Sequence, residues 1–276
     1  MTWLSYSQNG EDVRLKRAFA EQGTGFYIDV GANHPVDNSV TKHFYDCGWT
    51  GINVDPAPHP FRLISKDRSR DINLNVGCSN KQGTLKLHAA RGDASGLSTF
   101  TVEEADIHRA KGFEFDTIDA RLTTLADICA EHVAGRQIDF MSIDVEGHER
   151  EVLEGADFAR FRPRVILVEA TRPNTTEPTH DRWEDLILRH DYRFAVFDGL
   201  NRFYVRREDE PLIPILALAP NFFDQFVPYV YQRQIDGLRA EVIAYRTVNP
   251  ALLLIAPIAR GIGKLARWMA PGLARG

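Results

Sequence analysis

Short, nearly uninterrupted apolar runs alternate with helical stretches through most of this chain, and that alternation admits few folds. Residues 26–30, 51–55, 72–78, 139–144 and 164–169 read as buried strands, and 84–88 as a short extra one. Residues 194–197 and 202–205 flank Asp198-Gly199, a hairpin signal. Helical patterns fill the gaps at 11–21, 39–46, 125–133, 149–160 and 182–190. Strands alternating with helices imply βαβ units and a mostly parallel sheet. Strands this apolar need cover on both faces. The expected class is therefore α/β: a doubly wound, mostly parallel sheet with an antiparallel hairpin at one edge. Residues 91–121 are rich in Gly, Ser, Thr and charge, with a short helix at 102–109. They read as a long excursion over the active-site side, with an ordinary surface insertion as the alternative.

From Glu208 onward Pro211, Pro214, Pro220 and Pro228 punctuate an apolar stretch. Ile235, Leu238, Val242 and Tyr245 then repeat at helical spacing, one stripe of a helix. The expected division is a main domain over 1–208 and a helical C-terminal extension over 209–276. After Glu241 the cations Arg246, Arg260, Lys264, Arg267 and Arg275 face no acid. The basic amphipathic end at 249–276 suits three partners: anionic lipid at the inner membrane surface, a glycosyltransferase, or a second copy in a homodimer. A packed terminus is the bland alternative.

The net charge of -5 supplies no global basic field, so nucleic acid is not an expected partner. Cys47, Cys78 and Cys129 form neither a C-x-x-C pair nor a disulfide framework, as in a reduced cytoplasmic protein. The first residues carry no basic segment followed by an apolar one, and the longest apolar run is too short to span a bilayer.

In an open α/β sheet, ligands bind beyond the carboxyl ends of the strands where the strand order reverses. Asp29-Val30-Gly31-Ala32-Asn33 closes the first strand and Asp55 the second. Gly31 permits close backbone approach, and an acid at the place of Asp55 commonly accepts both ribose hydroxyls. No G-x-G-x-x-G turn follows, so a cofactor with ribose but no diphosphate fits better than a dinucleotide. Strand-to-helix turns with no ligand remain open on spacing alone.

Four segments together resemble the FkbM methyltransferases. They are Tyr6-Ser7-Gln8-Asn9-Gly10-Glu11-Asp12, Tyr27-Ile28-Asp29-Val30-Gly31-Ala32-Asn33, Gly48-Trp49-Thr50-Gly51-Ile52-Asn53-Val54-Asp55-Pro56 and Ile143-Asp144-Val145-Glu146-Gly147-His148-Glu149. Arg162-Pro163 and Glu169, flanking the fifth main strand, add to the likeness, which covers about residues 5–206. The resemblance implies a class I, Rossmann-like methyltransferase fold. It also implies S-adenosylmethionine contacts at Gln8, Asp29, Gly31, Asn33 and Asp55. Where Asp55 stands the family more often has Glu, one methylene longer.

Methyl transfer to a hydroxyl needs the acceptor aligned and its proton removed. Asp144 and Glu146, two residues apart, share a face of an extended segment, and His148 has an ordinary pKa near neutrality. These three are the catalytic candidates, with helix capping and a solvent-facing histidine as their bland readings. Glu169 would complete an oxygen-rich cluster with Asp144 and Glu146, suited to Mg or Mn rather than zinc. His34, held extended by Pro35, Glu11 and Glu169 are candidate substrate contacts. The expected activity is O-methylation of a sugar hydroxyl in a glycan or glycoconjugate. Tailoring of a polyketide or lipid hydroxyl, or a silent module binding a nucleoside or partner, is the rival.

Overall fold

The computed structural model describes residues 2–248. It divides into two units, residues 7–220 and residues 2–6 with 221–248. In the smaller unit β1 (Trp3–Ser5) pairs in parallel with β12 (Phe226–Pro228), and α9 (Tyr229–Val248) follows. The Trp3 ring lies 6.1 Å from Phe226 and its Nε1 donates to the Asp224 carbonyl at 2.9 Å. The expected main-domain end at 208 falls inside the larger unit instead. Residues 209–220 stay with it because Leu216 of α8 (Ile213–Ala217) is fully buried against the sheet. The calls on residues 249–276 lie outside the described residues.

The main sheet has seven strands: β2 (Phe26–Val30), β3 (Thr50–Val54), β4 (Ile72–Leu74), β8 (Phe140–Ile143), β9 (Val165–Glu169), β10 (Tyr192–Phe197) and β11 (Asn201–Arg206). Their order is β10-β11-β9-β8-β2-β3-β4. All pairs are parallel except β10 with β11 and β11 with β9, so the hairpin forms the antiparallel edge. From β2 the chain builds outward through β3 and β4, then returns to lay β8 on the other side of β2. That reversal opens a crevice at the carboxyl ends of β2 and β8.

Both faces of the sheet are covered, as the apolar strands require. Phe26, Ile28 and Val30 point to one face with Met141 and Ile143, against α5 (Leu125–His132), α6 (Glu149–Glu154) and α7 (Glu184–Leu188). Tyr27 and Phe140 point to the other, against Leu15 and Phe19 beside α1 (Glu11–Ala18) and Phe44 of α2 (Lys42–Asp46). Each such side chain contributes roughly 1.5–3 kcal/mol on full burial. Strand parity then puts Asp29 and Ser142, paired in register, on the second face.

Three elements depart from the sequence expectation. Residues 72–78 form two strands, β4 and β5 (Gly77–Cys78), in different sheets. Asn75 turns the chain between them by donating to the carbonyls of Asp55 and Pro56. The excursion at 91–121 is largely ordered structure: α4 (Val102–Ala110) leads into β7 (Phe115–Thr123), which pairs along its length with β6 (Gly83–Ala90) in a second sheet. A helix the sequence hid, α3 (Pro58–Asp67), follows β3. It carries Pro58 and Pro60 in its first turn, which tolerates them because its N–H groups lack partners anyway.

Candidate functional site

The loop leaving β2 is built before any ligand arrives. Gly31 has φ +85°, and a Cβ there would lie 1.7 Å from the Asp144 carbonyl oxygen. The glycine thus serves the packing of the β2 exit against the β8 exit, besides lining the space described below. Asp55 accepts from the backbone N–H of Asn33 at 2.9 Å and of Ala57 at 2.8 Å, one on each oxygen. Asp29 accepts from the Thr41 hydroxyl at 2.8 Å. Burial pushes Asp55 up to about 7 and Asp29 up to about 6, against the pull of those donors. A carboxylate has about four lone-pair sites, so both acids retain accepting capacity.

The β8 exit is different. Glu146 sits at φ +53°, a backbone state uncommon for a side-chain-bearing residue. Its carbonyl accepts from the Thr99 hydroxyl at 2.8 Å. Buried Glu149 takes the Gly147 N–H at 3.0 Å and the Val145 N–H at 3.4 Å, closing the turn from below. Burial raises Glu149 to about 7. The turn holds Asp144 and Glu146 beside Glu169, with one oxygen from each within 4.8 Å of the others. Asp144 Oδ1 and Glu146 Oε2 are out of reach of solvent, and neither has a hydrogen-bond partner. Burial and the neighbouring carboxylates drive Glu146 and Glu169 well above the usual range, and burial raises Asp144. Three clustered carboxyls in such a place must share protons or meet a cation.

These groups open onto a cleft of about 970 Å³ lined by Gln8, Asp29, Gly31, Asn33, Asp144, Glu146 and Glu169. A narrower pocket continues from it, lined by Asp55 and by Val54, Pro56, Val76, Leu87 and Phe100. Gly31, Asn33, Asp144 and Glu146 line both. The arrangement brings the buried carboxyl of Asp55, a narrow apolar-walled slot of about 40 Å³ and an acidic cluster to one crevice.

Three expected site residues line neither space. Glu11 is buried, accepts from the Asn9 N–H and the Asn201 amide, both at 2.7 Å, and is raised to about 7 by burial. It ties the start of α1 to β11. His34 turns its Nδ1 back onto the N–H groups of Val36 and Asp37, at 3.2 and 2.8 Å. His148 packs on Phe100, with Nε2 3.1 Å from the Ser79 hydroxyl and Nδ1 3.5 Å from Glu151. Burial lowers its pKa. Phe113, Asn38 and residues 174–176 also line the cleft. The sequence offered no signal for them, because they lie in loops with no periodicity. The hydroxyls of Ser95, Ser98 and Thr99, on the segment that covers this side, are spent within the protein, on Asn33, the Ser95 carbonyl and the Glu146 carbonyl.

A family model described as the methyltransferase FkbM domain matches residues 29–194. The chain is also 27% identical over 180 residues to "Methyltransferase sdnD" of Sordaria araneosa, covering 55% of this chain and 69% of that protein. The family match spans more than half of the chain and contains both acidic strand exits and the glycine that packs them together, so this chain belongs to the FkbM methyltransferase family.

Proposed function

We propose that this methyltransferase is S-adenosylmethionine-dependent, has the class I Rossmann-like fold, and acts on a sugar hydroxyl of a glycan or glycoconjugate in the cytoplasm. One observation carries the reading: Asp144 and Glu146, with unpartnered oxygens, line both the wide cleft and the pocket that ends at Asp55. S-adenosylmethionine supplies, when bound, an electrophilic methyl on a cationic sulfur. Asp55 takes the ribose hydroxyls on its free lone pairs, and Val54, Pro56 and Leu87 flank the adenine. Asp29 and Gln8 face the amino-acid end. Glu146 in its ionised form, helped by Asp144, would take the proton of the acceptor hydroxyl as its oxygen bonds to the methyl carbon in line and the carbon–sulfur bond breaks, releasing S-adenosylhomocysteine. Gln8, Asn38 and Asn174 offer hydrogen bonds, and Phe113 an apolar platform, to a polyol. The free thiols and the lack, among the described residues, of a helix long and apolar enough to cross a membrane support the cytoplasmic placement.

Calorimetric titration with S-adenosylmethionine and S-adenosylhomocysteine, then transfer of labelled methyl to cell-extract glycans, tests the proposal. Absence of heat with both ligands would leave a silent module; label in a polyketide or lipid alone would move the acceptor class. The orphaned oxygens of Asp144 and Glu146 favour one alternative to a general base, in which Asp144, Glu146 and Glu169 would hold a Mg or Mn ion that lowers the pKa of the acceptor hydroxyl. Manganese titrated into cofactor-free protein should show a bound paramagnetic signal that Glu146→Gln abolishes. Free ion alone rejects the metal.

A further inference from the structure

The wide cleft carries a one-sided charge pattern. Among the described residues its lining includes five carboxylates, Asp29, Asp37, Asp144, Glu146 and Glu169, and no Lys, Arg or His. The nearest basic groups lie behind the lining or are held by other acids: buried Arg68 donates to Ser39 at 3.0 Å and acts on Asp29, and His34 Nδ1 is 3.8 Å from Asp37. Arg172, beside lining residue Thr171, lies 2.9 Å from Glu104 and 3.8 Å from Glu177. Lys42 is held by Asp46 at 2.9 Å and Asp67 at 3.4 Å. The His34 ring faces its own turn.

Such a lining attracts a sulfonium and accepts from neutral hydroxyls, but repels anions. Activated sugars carry phosphate or diphosphate, which proteins bind with Arg, Lys, helix N-termini or metal. A divalent ion on the Asp144 cluster would lie between carboxyls that otherwise share protons, and it would bring no Lys, Arg or His to the lining.

Resting on the sugar reading above, we infer that the acceptor entering this cleft carries no phosphate. Methylation therefore follows the glycosyl transfer that discharges the nucleotide: a glycosyltransferase reaction supplies the substrate as a finished, uncharged glycoside. A nucleotide sugar meets carboxylates on every side of the hydroxyl-presenting cleft. The neutral glycoside of the same sugar meets the amides of Gln8, Asn38 and Asn174 and the hydroxyl of Thr176.

The test uses the full chain and matched acceptor pairs, each an alkyl glycoside and the uridine-diphosphate form of the same sugar, with and without magnesium. The neutral member should have the higher kcat/KM by about a hundredfold, since like charges facing each other cost several kcal/mol. The gap should narrow with added salt, which screens charge but not shape. Uridine diphosphate titrated into the S-adenosylhomocysteine complex should give no heat. Preferred turnover of the nucleotide sugar, a gap indifferent to salt, or micromolar binding of uridine diphosphate would each overturn the inference. Turnover of no glycoside in any pair, with uridine diphosphate still unbound, breaks the sugar reading and leaves the charge exclusion standing.

Discussion

Asp29 and Asp55 at the ends of β2 and β3, and Asp144, Glu146 and Glu169 around the ends of β8 and β9, are the same kind of group at the same kind of place. The fold treats them differently. Thr41 and two backbone N–H groups engage the first pair. The second set leaves two buried oxygens without a partner. A satisfied buried acid is part of the scaffold and presents its remaining lone pairs in a fixed direction. An unsatisfied one carries a desolvation cost that an incoming donor or cation removes. On the function proposed above, the cofactor end is preorganised and the acceptor end is left waiting.

The largest expected effect removes the contact that joins the two ends. Gly31→Ala places a Cβ on the Asp144 carbonyl at a backbone angle hostile to side chains. It should cost about 4 kcal/mol or more in denaturant unfolding. A loss near 1 kcal/mol would show the two exits to be independent. Next, Glu146→Gln should lower kcat by about a hundred- to ten-thousand-fold, the range of a lost general base, with S-adenosylmethionine affinity unchanged. Equal loss of binding would erase the distinction between the ends. Asp55→Ala should do the reverse, weakening S-adenosylhomocysteine about 30-fold in calorimetry, as for a lost charged hydrogen bond. The kcat at saturating cofactor should be spared.

pH separates the same two properties. The proton that Asp55 holds up to about 7, and Asp29 up to about 6, occupies a lone pair and removes the charge. Cofactor affinity should be full above pH 7 and fall below it by up to about tenfold per unit for each group. Stability runs the other way. Raised folded pKa values at Glu11, Asp29, Asp55 and Glu149 favour the protonated native state. Cofactor-free protein should therefore be most stable in mild acid and lose stability as pH rises from about 4 to 7. Thermal melts and titrations at pH 5.5 and 8 read both trends; parallel trends would refute the pairing. The smallest effect belongs to His148→Gln, which should leave kcat within about threefold, because the ring is turned to Ser79 and Glu151. A collapse of kcat would return that histidine to the chemistry.

Much of the site was legible in the chain. Strand periodicity placed Asp29, Asp55, Asp144 and Glu169 at or just beyond strand ends, and the resemblance added Gln8 and Asn33. The misread residues share one property: their roles depend on partners that local pattern does not reveal. Glu11 looks like a helix-start acid until Asn201, 190 residues away, is seen to hold it. His148 looks like a base until Ser79 claims its ring. Local pattern did not reveal helix α3, whose first turn accommodates two prolines.

The sequence by itself determined the α/β class, the strands and the acids that end them, because side-chain alternation and helical spacing are local properties of a chain. Only the tertiary structure decided which of those acids are satisfied, which side chains share a cleft, and that no Lys, Arg or His among the described residues lines it. Hydrogen-bond satisfaction and field sign are sums over neighbours in space, and the reversal of strand order between β2 and β8 chooses those neighbours.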